Sequence, residues 1–143
     1  MPKLSIITIN YNNLEGLQKT FESVFAQTFQ DFEYIVIDGG STDGSKEYIA
    51  ENADKINYWV SEKDHGIYNA MNKGIKIANS EFVIFLNSGD TFFNETILNR
   101  LLNVDNTYDI VYGNHNLLKI DNSEYVKQFP DLITISYLLI DTV

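Results

Sequence analysis

Cysteine is absent from this 143-residue sequence, and proline and arginine are scarce, with two prolines and one arginine. Without cysteine the chain has no disulfide, no thiolate zinc site and no cysteine nucleophile. No apolar run approaches the ~18 residues that a membrane span requires. The two histidines, His65 and His115, lie far apart in sequence and match no metal-ligand spacing. These absences exclude several common kinds of site and leave oxygen and amide chemistry.

Positive charge is also in short supply. Twenty acidic residues stand against ten basic ones, giving a formal net charge of −10. A nucleic-acid-binding domain usually has the opposite balance, so we expect no nucleic-acid partner. An anionic substrate would need local help against this field, from helix N-termini or a metal ion. The remaining composition, 44% hydrophobic and 21% charged, is that of one ordinary globular domain.

The spacing of apolar residues alternates between strand and helix periods. Strands are predicted over residues 3–9, 32–38, 57–61, 82–87 and 109–113. Helices are predicted from a cap at Asn12 or Asn13 to Phe25, from a cap at Ser41 or Thr42 to Glu51, and over 67–78, 95–102 and 131–139, with a hairpin or antiparallel strand over 116–129. Strands separated by helices predict an α/β fold, a mostly parallel sheet flanked by helices on both faces.

Three polar loops follow predicted strands, after Ile9, Ile37 and Leu86. Parallel connections are right-handed, so the loops after the strands gather at one edge of the sheet. Ligands of open α/β sheets bind at that edge. We therefore expect the three loops to form one shared site.

Acidic side chains in the loops are the first candidates for chemistry. Asp90 stands where a carboxylate can hold a hard divalent cation, although a plain Asx turn is the alternative. Asp38 could accept hydrogen bonds from a ribose or a base, or could cap the next helix. Asp64 is placed as an N-cap, the ordinary role of Asp before a helix. A lone loop histidine such as His65 is more often solvated than catalytic.

Taken together, four segments resemble the family 2 glycosyltransferases, inverting sugar transferases with the GT-A fold, a Rossmann-like α/β architecture. They occur in the order and spacing of that family, within about residues 3 to 115. The segments are SIITINYN (Ser5 to Asn12), VIDGGSTDGS (Val36 to Ser45), SEKDHGIYNAMNKGIKIA (Ser61 to Ala78) and FLNSGD (Phe85 to Asp90).

The resemblance implies a role for each matching residue. The residues expected to bind the nucleotide, or to lie behind it, are Thr8, Asn10, Tyr11, Asp38, Asp64, Gly66, Asn72, Lys73, Asn87 and Ser88. Asp90 matches the metal-binding position of the family's DXD-type motif, with Mn²⁺ or Mg²⁺ as cofactor. Asn87 and Gly89 stand where more acidic versions of that motif occur, so Asp90 is the one carboxylate left for the metal.

The charge balance agrees with this assignment. The diphosphate of a nucleotide sugar carries about two negative charges. Because the chain has a single arginine, we do not expect a bidentate guanidinium group to bind it. A divalent cation on Asp90 would neutralise the diphosphate and stabilise it as a leaving group.

An inverting transferase also needs a general base on the acceptor hydroxyl, usually a carboxylate. None of the late acids matches the family's base motif: Asp109, Asp121, Glu124, Asp131 and Asp141. We therefore expect residues 1–143 to form a single donor-binding domain, the first part of a longer enzyme whose base lies beyond Val143. The expected reaction is transfer of a sugar from a nucleotide diphosphate to an acceptor hydroxyl, in bacterial surface polysaccharide synthesis.

Two other functions fit parts of the pattern. One is a non-catalytic nucleotide-sugar-binding module. The other, a nucleotidyltransferase, is weaker, because the loop after the first strand, INYNNLEG, has neither Arg nor Lys. The expected partners are a nucleotide sugar, with a UDP-sugar foremost, and a sugar or lipid-linked sugar acceptor. A homodimer and a cytoplasmic location, with a peripheral place at the inner membrane face as a variant, complete the expectations.

Overall fold

A computed structural model describes residues 1–103, 110, 114–118 and 123–128. Its contacts divide the chain into two compact units, Met1–Asn103 and Val104–Val143. The predicted single domain over residues 1–143 stays a prediction. In the described part of the chain, no helix combines the length and the apolar character needed to cross a membrane.

The first unit is a four-stranded parallel sheet with helices between its strands. Its elements are β1 (Leu4–Asn10), α1 (Leu14–Phe25), β2 (Phe32–Asp38), α2 (Ser45–Glu51), a 3₁₀ turn (Ala53–Lys55), β3 (Tyr58–Ser61), α3 (Ile67–Ile77), β4 (Phe82–Phe85) and α4 (Ile97–Leu102). The strand order is β3-β2-β1-β4. In the second unit, β5 (His115–Leu118) pairs antiparallel with β6 (Glu124–Lys127).

The central strand β1 is buried along its whole length, as expected of a strand covered on both faces. Leu4 and Ile6 lie in one apolar cluster, which also contains residues of α1, α2 and α4. Ile7 and Ile9 lie in a second cluster, together with Ala70 of α3. Alternate side chains of a strand point to opposite faces, so helices cover both faces of the sheet. The predicted α/β fold is confirmed.

Helix α1 begins at a side-chain cap and buries one apolar stripe. The amide oxygen of Asn13 accepts a hydrogen bond from the Gly16 backbone N–H, which confirms one of the two caps predicted for this helix. Leu17, Phe21 and Val24 follow at helical spacing and are buried. The Phe21 ring packs edge-on against the ring of Tyr34 on β2, with 5.4 Å between centroids. These contacts fix α1 across the sheet.

The cap predicted for α2 is wrong. This helix begins at Ser45, and its N-cap is Gly44, which has no side chain to offer. Ser41 is instead engaged by the Asp38 carboxylate. Thr42 donates its backbone N–H to Asn12. Both cap-type residues are therefore used in the loop, several positions before the helix begins.

The later part of the chain matches expectation where it is described. The predicted helix near 95–102 is present as α4. The hairpin expected over 116–129 is present as β5 and β6. The strand predicted over 109–113 and the helix over 131–139 lie outside the described residues, except for Ile110.

Candidate functional site

The loops after β1, β2 and β4 meet at the carboxyl edge of the sheet. Asn10 at the end of β1 pairs in register with Asp38 at the end of β2. The Ser88 backbone N–H donates to the Ile9 carbonyl at 3.0 Å. The amide nitrogen of Asn13 donates to the Ser88 carbonyl at 3.0 Å. The structure thus brings together the three loops that the sequence predicts to share a site.

Asn12 locks the β1–α1 loop to the loop after β2. Its backbone N–H donates to the Ser41 hydroxyl at 2.8 Å, and its side-chain oxygen accepts the Thr42 N–H at 2.8 Å. Its φ of +48° makes it the one non-glycine residue of the described chain with positive φ, a conformation that Asn tolerates better than most residues. Nearby, the Leu14 N–H donates to the Asp43 carboxylate at 2.8 Å. The two loops are therefore joined by side chain to backbone bonds.

Asp38 is fully buried and is the hub of this joint. Asn10 Nδ2 and the Ser41 hydroxyl donate to Oδ1 at 2.8 and 2.5 Å. The Ser41 N–H and the Ser61 hydroxyl donate to Oδ2 at 2.9 and 2.6 Å. Burial acts to raise the pKa of Asp38, but the hydrogen bonds from Ser41, Ser61 and Asn10 outweigh it and hold the pKa below its ordinary value. Four internal donors already occupy this carboxylate.

Thr8, like Asp38, is buried beneath the edge of the sheet, and the nucleotide-binding role that the resemblance implies for both stays a prediction. Thr8 has no exposed surface, and its hydroxyl contacts the Tyr34 hydroxyl at 2.9 Å and donates to the Leu86 carbonyl at 2.8 Å. Its position on β1 points it into the core beside Tyr34, whose pKa is raised by burial. Asn10 is likewise buried. These side chains shape the edge of the sheet from beneath.

The exposed Tyr11 and the half-buried Asp64 both lie close to Gly39 at this edge. A Cβ placed on Gly39 would stand 2.9 Å from Asp64 Oδ2 and 3.1 Å from the Tyr11 ring, so the glycine leaves room for both side chains. Tyr11 is 67% exposed. Asp64 accepts the Gly66 N–H at 2.9 Å through its other oxygen, in an Asx turn before α3. The exposed ring can stack on a planar ligand, and the carboxylate beside it can accept hydrogen bonds from that ligand.

The turn Asn87–Asp90 holds the predicted metal position. The Asp90 N–H donates to the Asn87 carbonyl at 2.9 Å, and Gly89 closes the turn with a φ of +101°, which favours glycine. The Asp90 side chain is exposed. Among the described residues, Asn87 Oδ1 is one of two buried side-chain atoms without a hydrogen-bond partner, the other being Asn10 Oδ1. The turn thus offers oxygen ligands, the kind that Mg²⁺ and Mn²⁺ prefer.

The remaining predicted residues lie on or near α3 and the turn. Lys73 forms an ion pair with Glu62 at 2.7 Å, and Asn72 is exposed on the same helix. Ser88 is half-buried and is held by Asn13. No group of three or more His, Asp or Glu side chains with metal-site geometry occurs in the described ranges. Any metal at Asp90 would therefore take most of its ligands from substrate and water.

Several residues that organise the site were not among the predicted binding residues. Asn12, Ser41, Asp43 and Ser61 each bond to a neighbouring loop or strand. Their signal in the sequence is the density of Asn, Asp and Ser where strands end, which indicates side-chain to backbone bonding. Which partners they choose depends on the register of the strands.

A parallel sheet whose carboxyl edge carries bonded polar loops, an exposed aromatic ring and exposed carboxylates defines an α/β domain of the GT-A type. A solved structure supports this class. TarS residues 1–349 from S. aureus, in complex with UDP-GlcNAc, superimposes with a TM-score of 0.62 at 28% identity, over 68% of this chain and 29% of that one.

The family is defined by sequence. The sequence model of the family described as "Glycosyl transferase family 2" matches residues 5–139, so the chain belongs to this family. An uncharacterized glycosyltransferase of Mycobacterium tuberculosis is 47% identical over 92 residues, which cover 64% of this chain and 35% of the relative. A PGL/p-HBAD biosynthesis glycosyltransferase of Mycobacterium bovis is 31% identical over 118 residues, covering 78% of this chain and 46% of the relative. The chain thus spans less than half the length of these two relatives.

Proposed function

We propose that this chain binds the nucleotide diphosphate sugar in a glycosyltransferase that transfers the sugar to an acceptor hydroxyl with inversion. The observation that carries this proposal is the joining of three loops at one sheet edge, with the exposed Tyr11 and the half-buried Asp64 beside Gly39 and with Asp90 exposed on the loop after β4. Membership of glycosyl transferase family 2 supports the reaction class. A UDP-sugar is the proposed donor, and the likeness to TarS bound to UDP-GlcNAc supports it.

The nucleoside is assigned to the side of the edge formed by Tyr11 and Asp64. The exposed Tyr11 ring offers a face for stacking, and the Asp64 oxygen nearest to Gly39 can accept a hydrogen bond from the base or the ribose. Asp38 acts beneath them. The hydrogen bonds that Asp38 accepts hold Ser41, Ser61 and Asn10 in place. Asp38 thereby fixes the surface on which the nucleoside lies.

The diphosphate is assigned to the turn that carries Asp90. The exposed Asp90 carboxylate and the unpaired Asn87 Oδ1 form a donor set that fits a hard divalent cation, and both belong to one turn. One or two protein oxygens completed by phosphate oxygens is the usual arrangement for Mg²⁺ in nucleotide sites. Such a cation would neutralise the diphosphate and make it a better leaving group.

The biological setting extends the same proposal. The relative from Mycobacterium bovis is named for PGL/p-HBAD biosynthesis, which supports a biosynthetic role. We place this role in bacterial surface polysaccharide synthesis, with a sugar or lipid-linked sugar as acceptor and with the protein in the cytoplasm.

Replacing Asp90 with Asn tests the metal assignment. Asp90→Asn keeps the size of the side chain and removes its charge, so the exposed turn should fold as before. Calorimetric titration with UDP and Mn²⁺ should show affinity reduced by more than about tenfold, as expected for loss of a metal-site residue. Uridine, which has no phosphate, should bind both proteins equally.

Asp54→Asn is the matched control. It makes the same chemical change and the same change in net charge, at an exposed residue that precedes β3 and lies far from the carboxyl edge. It should leave UDP binding in Mn²⁺ unchanged. Equal UDP affinity of Asp90→Asn and the unaltered chain would remove Asp90 from the metal site. Absence of binding of both uridine and UDP to the unaltered chain would refute the proposed function itself.

A further inference from the structure

Helix α1 carries a row of polar side chains that faces the segment after β4. The row consists of Asn13, Thr20, Ser23 and, just past the end of the helix, Gln27, at intervals of seven, three and four residues. These intervals place the four side chains on one face of a helix. Each bonds to main-chain atoms of the segment: Asn13 to Ser88, Thr20 to the turn that ends at Asp90, Ser23 to Phe92, and Gln27 to Asn94.

Thr20 makes the most concentrated contact of this row. Its hydroxyl donates to the Asp90 carbonyl at 2.8 Å and accepts the Gly89 N–H at 3.0 Å. The Asn87 carbonyl lies 3.3 Å from the same oxygen. Thr20 is fully buried, so water does not compete for these bonds. One hydroxyl therefore gathers three main-chain groups of the turn.

A threonine inside a helix often bonds only to the carbonyl four residues earlier. Thr20 has such a neighbour, the Gly16 carbonyl at 3.1 Å, but its contact with the Asp90 carbonyl is shorter. The turn also needs an external support. It has one internal main-chain bond, from the Asp90 N–H to the Asn87 carbonyl, and Gly89 gives it conformational freedom.

We propose that Thr20 is a positioning residue, whose buried hydroxyl holds the turn Asn87–Asp90 in one conformation and thereby sets the direction of the Asp90 carboxylate. Its effect on metal binding rests on the proposed function above, but its effect on the turn does not. Thr20 touches neither nucleotide nor metal in this assignment. It acts through the backbone of the residues that do.

Two substitutions separate the hydroxyl from the rest of the side chain. Thr20→Val keeps the shape and removes the hydroxyl, which leaves the Gly89 N–H without its acceptor. Thr20→Ser keeps the hydroxyl and removes a methyl group. Val24→Ala is the matched control, because Val24 is buried on the same helix within the apolar cluster, so its truncation weakens α1 without removing a bond to the turn.

Amide hydrogen exchange of Gly89, followed by NMR on the 143-residue chain, measures the turn directly. Leu17, whose N–H bonds to Asn13 within α1, reports the general stability of the helix. In Thr20→Val the exchange of Gly89 relative to Leu17 should rise about five- to tenfold, the equivalent of one lost hydrogen bond. In Thr20→Ser and Val24→Ala this ratio should stay within about twofold. An unchanged ratio in Thr20→Val would overturn the proposal.

Manganese binding gives the functional readout. The paramagnetic resonance of free Mn²⁺ in the presence of UDP should show affinity reduced about five- to tenfold in Thr20→Val and restored in Thr20→Ser. A raised ratio of Gly89 to Leu17 exchange with unchanged Mn²⁺ affinity would show that Thr20 holds the turn without setting the direction of the Asp90 carboxylate. It would overturn the part of the proposal that concerns Asp90. If Mn²⁺ fails to bind the unaltered chain, the metal assignment fails, while the exchange ratio still decides whether Thr20 holds the turn.

Discussion

At the scale of single residues, the carboxyl edge depends on a buried charge that is fully paired. Asp38 accepts four hydrogen bonds from three residues, and two of those residues, Asn10 and Ser61, end the strands on either side of β2. A buried carboxylate is costly unless donors replace its water. Here the donors are supplied by β1, β3 and the loop after β2. One side chain therefore ties together three consecutive parts of the sheet edge.

The lowered pKa of Asp38 makes its contribution to stability dependent on pH. Because the folded pKa lies below the ordinary value of 3.8, the stabilisation is complete above that value and is lost as the pH falls through the folded pKa. Asp38→Asn should reduce the free energy of unfolding by about 2–4 kcal/mol at pH 7, since the amide replaces two charged acceptors with one neutral acceptor and one donor. The difference from the unaltered chain should shrink below about pH 4.

Urea unfolding at several pH values between neutrality and pH 3 measures this difference. Ser61→Ala supplies a milder variant that removes one donor and keeps the carboxylate, with an expected cost of about 1 kcal/mol that also shrinks in acid. A gap between the variants and the unaltered chain that is constant with pH would contradict a charged Asp38 as the source of the effect.

The sequence identifies residues at this scale better than it identifies their roles. Asp38, Asn10 and Thr8 were all placed at the edge by the ends of β1 and β2, and they lie there. Their partners could not be predicted, because these depend on the strand pairing that sets Tyr34 beside Thr8 and Asn10 beside Asp38. Tyr11 and Asp64 were predicted to lie beside the ligand, and both lie at the surface around Gly39.

At the scale of elements, α1 connects the two halves of the candidate site. In its first turn, the Leu14 N–H donates a hydrogen bond to the Asp43 carboxylate of the loop after β2. Its polar row, through Asn13 and Thr20, receives the turn that carries Asp90. On the other face of the sheet, α3 packs on β1 through a glycine. The proposed nucleoside side and the proposed metal side thus both bond to α1.

Gly74 of α3 packs directly against Ile7 of β1. A Cβ placed there would stand 2.5 Å from Cγ2 of Ile7, which is closer than packed carbon atoms allow. Helix propensity alone would make Gly74→Ala stabilising by up to about 1 kcal/mol. We expect the clash to win, with a net loss of about 1–3 kcal/mol in the free energy of unfolding, as for other overpacked cores.

A double-mutant cycle with Ile7→Ala tests this assignment, with urea unfolding followed by circular dichroism. Ile7→Ala removes the atom that the new Cβ would meet, so Gly74→Ala should then cost little or become stabilising. A stabilising effect of Gly74→Ala in the unaltered background would show that α3 does not rest on Ile7 at this point.

The order of helices and strands could be predicted, whereas helix starts could not always. The apolar stripes of α1 and α3 are regular, and both helices appear where the pattern places them. The start of α2 was predicted too early, because Ser41 and Thr42 have the side chains of helix caps. In the folded chain they bond to Asp38 and Asn12, partners that only the paired strands bring near.

At the scale of the whole molecule, the charge of −10 opposes any phosphorylated ligand. In the function proposed above, a divalent cation held at the exposed Asp90 would offset this repulsion. The parallel sheet and the resemblance to family 2 glycosyltransferases could be predicted from the sequence, whereas the strand order β3-β2-β1-β4 was not predicted. The contacts among the loops at the edge of the sheet depend on how the strands pair, which no pattern along the chain encodes directly.

Salt should reveal this field in the absence of divalent cations. Raising NaCl from about 10 mM to 100 mM shortens the screening distance from roughly 30 Å to 10 Å, so the metal-free affinity for UDP should rise a few-fold. Uridine, which has no phosphate charge, should show no such trend. Titration calorimetry in chelator-treated buffer makes the measurement. A fall in UDP affinity with salt would instead show that lysine side chains dominate the local potential.

The bracing of the edge loops has a kinetic consequence. Asn12, Asn13 and Thr20 hold the loops through bonds within the chain that use no group of a ligand, so we expect capture of the ligand to require no prior folding of a loop. The entropy cost of ordering the loops then belongs to folding rather than to binding. Diffusion and electrostatic repulsion are the main barriers to association. Differences in affinity among ligands of equal charge should consequently appear in how slowly each one leaves.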